Sequence, residues 1–167
     1  MTTSMTLIAS STVGSGGAAT ITFSSIASSY TDLAIKVSAR TDIGSGTTQL
    51  YLNLNGSAAN FTGKYVLGTG AAAASGSLAQ YAGQTETGAY TASTFSSHDI
   101  YIPNYAGSTN KSYSTDAVTE NNGTTGYQDL IAGLWSQTAA INQVTLSLAS
   151  GNFVQYSTAY LYGVKNA

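Results

Sequence analysis

The sequence is poor in charge. Five Lys and Arg stand against seven Asp and Glu in 167 residues, so charged side chains make up 7% of the chain and the formal net charge is -2. Soluble globular chains carry about 25% charged residues. Five scattered cations cannot neutralise a row of phosphates, so nucleic-acid binding is excluded as a working function. Cysteine is absent. Disulfides, thiolate nucleophiles and cysteine-based zinc sites go with it, and stability must come from packing, hydrogen bonds or oligomerisation. There is a single Pro and a single His. No apolar run approaches the roughly 18 to 20 residues of a spanning helix, and the longest small-residue run is Ala71 to Ala74. The first cation is Lys36 and Thr2 to Ser4 are polar, which is not the charged, then apolar, pattern of a secretory signal. A cytosolic start is the expectation, with no membrane partner.

What replaces charge is hydroxyl. Twenty-four Thr and 23 Ser give 47 hydroxylic residues, beside 18 Gly and 12 Tyr. β-Branched, aromatic and turn residues lead while Glu, Lys and Leu do not, a balance that disfavours helices. Apolar and polar residues alternate in short windows. Asp32 to Arg40 is the clearest, with Leu33, Ile35, Val37 and Ala39 on one side and Ala34, Lys36, Ser38 and Arg40 on the other. Gln49 to Asn55 and Gln143 to Ala149 alternate as cleanly. Further strands are predicted at Thr6 to Ser10, Ala19 to Ser24, Lys64 to Gly68, Ser97 to Ile102, Lys111 to Thr119, Leu130 to Trp135 and Thr158 to Val164. Turn chemistry separates them, as at Gly44 to Thr47, Asn55-Gly56 and Ser150 to Asn152. About ten short strands spaced 8 to 15 residues apart predict an all-β chain, an antiparallel sandwich of jelly-roll type. Residues 1–18 read as an N-terminal arm or edge segment and 19–167 as one sandwich domain. Gly68 to Tyr90, mostly Ala, Gly, Ser, Thr and Gln, reads as a long surface excursion.

Motifs that carry chemistry are scarce. His98 precedes Asp99 in a strand, where neighbours point to opposite faces, so Asp99 is badly placed to orient His98; a structural or surface histidine is the expectation. A Ser-His-Asp triad stays open in a chain so rich in Ser, but no Gly-x-Ser-x-Gly elbow supports one. The carboxylates Asp32, Asp42, Glu86, Asp99, Asp116, Glu120 and Asp129 do not follow calcium-loop spacing, and the nearest pair, Asp116 and Glu120, stands four positions apart along a strand, too far for paired acid and base work. Catalytic, cofactor and metal sites are therefore not predicted, although a calcium ion held by loop oxygens would leave no readable motif. Gly14, Gly16 and Gly17 precede a strand and read as turn glycines, not as a phosphate cradle. The 12 Tyr are the most informative feature, because Tyr offers a flat apolar face and a hydroxyl at low entropic cost. Tyr160 and Tyr162 share one face of the last strand, opposite Ala159 and Leu161. They are candidate interface residues, with simple core packing and glycan stacking as the alternatives. Trp135, alternating with Ile131 and Gly133, belongs either to the core or to a subunit seam.

Several segments together form a pattern. They are Phe23-Ser24-Ser25-Ile26, Tyr30-Thr31-Asp32-Leu33, Asn53-Leu54-Asn55-Gly56 and Ile102-Pro103-Asn104-Tyr105, then Gly133-Leu134-Trp135-Ser136, Ala139-Ala140-Ile141, Ala149-Ser150-Gly151-Asn152-Phe153 and Leu161-Tyr162-Gly163-Val164. Over nearly the whole chain this resembles small virion structural proteins of tailed bacteriophages, of the capsid decoration or tail-fibre type. The resemblance carries no catalytic residues. It implies a jelly-roll-like sandwich, a homotrimer, a place on the virion and assembly in the host cytoplasm. Two functions follow as expectations. One is a capsid decoration or cement protein that binds the major capsid protein and stabilises the head shell by contact alone, without catalysis or cofactor. The alternative is a tail-fibre or receptor-binding tip that recognises host surface glycan, with loops such as Gly68 to Tyr90 and Asn121 to Tyr127 supplying contacts. Met1 to Met5 would serve the first as an arm to a neighbouring subunit.

Overall fold

The structure is a computed structural model that describes residues 4–120, 122 and 126–165. Twelve strands make it up: β1 Ser4–Thr12, β2 Thr20–Phe23, β3 Asp32–Ala39, β4 Thr48–Leu54, β5 Phe61–Gly68, β6 Ala73–Ser77, β7 Tyr81–Thr85, β8 Ser96–Ile102, β9 Lys111–Thr119, β10 Tyr127–Trp135, β11 Val144–Leu148 and β12 Thr158–Lys165. All ten strands read from alternation are present, most within one to three residues of their expected ends. The alternation is the cause: in β8 and β9 every second residue is buried, and a one-residue slip of register would turn that entire set to water.

The strands form two antiparallel sheets, ordered β1-β12-β3-β8-β9-β10-β5-β6 and β2-β11-β4-β7. Setting β5, β6, β9 and β10 aside, the remaining eight pair first with last: β1 with β12, β2 with β11, β3 with β8, β4 with β7. A long hairpin of eight strands in four pairs, rolled into two sheets, gives this order, and it is the jelly-roll topology. The other four strands are two insertions. The hairpin β5–β6 lies between β4 and β7, the hairpin β9–β10 between β8 and β11, and β10 joins β5. Together they extend one sheet past β8 as a four-stranded annex.

Leu33, Ile35, Ile100, Ile102 and Leu161 from the large sheet meet Leu50, Leu52, Leu54, Val144 and Leu146 from the small one, all fully buried. Under the annex the filling is aromatic. Phe61 lies 6.2 Å from Tyr113 edge-on and 6.3 Å from Trp135, and Tyr65 meets Tyr81 at 5.3 Å. Tyr113 lies flat over Gly133, where a Cβ would come within 2.0 Å of its ring. Just after β4, on the way to β5, Asn55 and Gly56 take φ of 52° and 72°, the pattern of a type I′ turn. The Asn55 amide donates to the Ala140 carbonyl at 2.8 Å, and its oxygen accepts from the Asn142 and Gln143 N–H groups.

Gly68 to Tyr90 corrects the expectation of a surface excursion. It holds β6 and β7, and β7 is an edge of the small sheet. Tyr81, Ala82, Thr85, Glu86 and Thr87 are buried. Apart from Leu78 the segment has only small aliphatic residues, and its backbone passes through tight space: at Gly83, with φ of +112°, a Cβ would sit 2.4 Å from the Ala117 Cβ. Arg40 then fastens the end of the segment, donating to the carbonyls of Tyr90, Thr91 and Thr94 at 2.8 to 3.1 Å.

Candidate functional site: the outer face of the large sheet

The residues singled out for nucleophilic chemistry lie inside. His98 and Ser96 are each 1% exposed. The His98 Nδ1 is 2.8 Å from the Ala82 carbonyl and its Nε2 2.9 Å from the Ser96 hydroxyl. In the neutral ring the proton sits on Nδ1 and is donated to Ala82, while the single Ser96 hydroxyl proton is shared between His98 Nε2 and the Ala39 carbonyl, 2.8 Å away. A Ser and a His do touch, but a main-chain carbonyl occupies the place of an orienting carboxylate and no substrate could reach them. His98 is a structural histidine joining β8 to β7. Asp129 is buried likewise, accepting from the Tyr81 hydroxyl at 3.0 Å and the Gln84 N–H at 2.9 Å, and burial holds its carboxyl above the usual range. Gly17 has φ of +70° and its N–H donates to Gly14, so these are turn glycines. Among the described residues no group of three or more His, Asp or Glu is placed to hold a metal ion. No described helix could cross a membrane.

The surface is more informative. Eight large apolar side chains are exposed among the described residues: Met5, Leu7, Val66, Tyr101, Val118, Leu130, Tyr156 and Tyr160. The cross-strand register puts seven of them, all but Tyr156, on the outer face of the large sheet. In one row across the strands, Val66 neighbours Leu130, then Asp116, Asp99, Lys36 and Tyr160. In the next, Lys64 neighbours Ala132, Ser114, Tyr101, Ala34, Tyr162 and Leu7. A third holds Val118, Ser97, Ser38 and Thr158.

This face has two apolar ends and a polar middle. On the annex, Val66 is 56% and Leu130 54% exposed, with Val118 diagonal to Leu130. A shallow depression of about 450 Å³ runs along β5, β10 and β9 between Val66, Leu130, Ala132, Lys64 and Asp116. At the other end Tyr101 and Tyr162 flank Ala34, which faces outward yet is 2% exposed. Tyr101 donates to Asp32 at 2.6 Å, and this bond together with burial pushes its phenol up to about 12. In the middle, Lys36 and Asp99 form an ion pair, both side chains about half exposed.

The candidate interface residues separate. Tyr160 is exposed and Tyr162 half-buried on this face, whereas Trp135 is 2% exposed in the core and is not available to a partner. The register also makes Asp99 and Asp116 direct cross-strand partners, a pairing that spacing along the chain had not revealed. The annex residues Val66, Leu130 and Val118 were missed too. Their signal was present: Leu130-Ile131-Ala132 and Tyr65-Val66-Leu67 are apolar on both parities, which a half-solvated strand does not need. Of the loops expected to supply glycan contacts, residues 121 and 123–125 lie outside the described residues, as do residues 1–3 of the expected arm; Ser4 and Met5 begin edge strand β1. No protein-family model, no curated protein and no solved structure matches the chain.

Proposed function

We propose that the protein is a virion structural protein, a capsid decoration or cement protein that binds the major capsid protein through the annex and stabilises the head shell as a homotrimer. The observation that carries this reading is the apolar patch of Val66, Leu130 and Val118 on strands the jelly roll itself does not require. Contiguous exposed apolar area on a small domain marks a contact surface. The resemblance of the sequence segments to tailed-phage virion proteins supports the major capsid protein as the partner in this reading, and jelly rolls serve viral capsids as well as lectins. The action is binding alone. Contact area that exists only in the assembled shell stabilises it by mass action, by about 2.7 kcal/mol per site at one hundred times Kd.

The test is co-sedimentation of labelled protein with capsids stripped of accessory proteins and, in parallel, with host cells. The expected result is saturable binding to capsids in a ratio fixed by the lattice, with a trimeric mass in solution. Binding to cells alone would overturn the reading in favour of a host-recognition tip.

A further inference from the structure

We propose a second site on the same face, a shallow binding site for a neutral pyranose sugar built on Tyr160, Lys36 and Asp99. It does not rest on the shell reading, because its strands are β8, β3 and β12 and the apolar patch belongs to the annex.

Asp99, Lys36 and Tyr160 are successive cross-strand partners, and Ser97, Ser38 and Thr158 form the adjacent row on the same three strands. Strands spaced about 4.8 Å apart, and two residues along each of about 3.3 Å, place the six side chains in a patch about 10 by 7 Å. A depression of about 250 Å³ lies among them. A pyranose presents an apolar C–H face and a rim of hydroxyls, each both donor and acceptor. Its recognition needs a flat aromatic surface, a carboxylate to accept from hydroxyls, and donors beside it. Tyr160 supplies the ring, Asp99 the acceptor and Lys36 the charged donor. The hydroxyls of Ser38, Ser97 and Thr158 make no hydrogen bond to another described residue, so all three are free to turn toward a ligand.

Charge decides the class of sugar. Lys36 pairs with Asp99 alone, and Asp116 stands directly across from Asp99 on its other side, so the row carries two carboxylates against one ammonium. A phosphorylated or sialylated ligand would meet net negative charge there. A neutral one would not.

The experiment is titration of the full-length isotope-labelled protein, followed by amide NMR, with neutral trisaccharides of glucose, galactose and mannose and with sialyllactose as the acidic control. At least one neutral trisaccharide is expected to shift amides of β8, β3 and β12, with sialyllactose about tenfold weaker or silent. Tyr160→Ala and Asp99→Asn should each weaken binding about tenfold. Tyr160→Phe should retain it, which guards against a folding defect in the Ala variant, and Leu130→Ser should leave it unchanged. Affinity that rises from mono- to trisaccharide identifies a polysaccharide as source, and affinity already complete at the monosaccharide a free sugar. Silence with all neutral sugars, shifts on other strands, tighter binding of sialyllactose, or indifference to both Tyr160→Ala and Asp99→Asn would overturn the proposal. Capsid co-sedimentation of Tyr160→Ala should be normal, so failure of this site and failure of the shell reading are separately visible.

Discussion

The one histidine sets an acid limit on the fold. His98 is 1% exposed, and burial pushes its ring down to about 4 from an ordinary 6.5. The neutral ring already donates from Nδ1 to the Ala82 carbonyl, and a second proton would put a charge into a dry seam between β7 and β8. The unfolded chain binds that proton more readily throughout the interval between these values, so stability rises with pH there and falls as the solution is acidified. At about 1.4 kcal/mol per pH unit of separation, the full loss is about 3 kcal/mol. Small domains have only about 5 to 15 kcal/mol in all. Urea unfolding at pH 7.5 and 4.0, followed by the fluorescence of the single buried Trp135, would measure it. Asp129 works in the opposite sense, since burial raises its carboxyl and acid relieves it, while Asp42, held low by the N–H groups of Asn152, contributes only below this interval. The His98→Gln variant isolates the histidine: it should be less stable at pH 7.5 but should lack the drop between 6.5 and 4. Equal losses in the wild type and His98→Gln would refute the reasoning.

Three further outcomes are expected. Gly83→Ala, which places a methyl 2.4 Å from the Ala117 Cβ at a φ of +112°, should cost about 3 kcal/mol in thermal or urea unfolding. Tyr81→Phe leaves the buried Asp129 carboxylate with only the Gln84 N–H and should cost about 1 to 3 kcal/mol, with the loss shrinking at low pH as the carboxyl protonates. Leu130→Lys together with Val66→Glu, opposite charges on direct cross-strand partners that are both exposed, should change stability by no more than about 1 kcal/mol in total, yet abolish capsid co-sedimentation; retained binding would move the contact elsewhere.

The sequence made the fold legible wherever burial was one-sided. Leu33, Ile35 and Val37, or Leu50, Leu52 and Leu54, announce both a strand and its inward face. It failed at β6 and β7, because Ala73–Ser77 and Tyr81–Thr85 carry small residues where the backbone runs close to its neighbours, and small residues look like loop. His98 was expected to be structural or on the surface; it is buried, and its contact with Ala82 comes from a segment expected to lie outside. The surface was less legible for a different reason. The row of Asp99, Lys36 and Tyr160 joins residues 63 and 124 positions apart, and only register brings them together.

The annex shows how such a face arises. Four added strands widen one sheet to eight while its partner keeps four, so the inner side of the annex needs cover that the small sheet cannot wholly give. Phe61, Tyr113, Trp135 and Tyr65 supply it, since aromatic rings fill depth that aliphatic chains would leave open, and Gly133 makes room for one of them. With the underside sealed in this way, the outer side is under no folding constraint and could be as hydroxylated as β8 or β3. Instead it carries Val66, Leu130 and Val118. Exposed β-branched and aliphatic residues on strands already satisfied beneath contribute little to this chain alone, and a contact that buries them is the physical reason for them to be there.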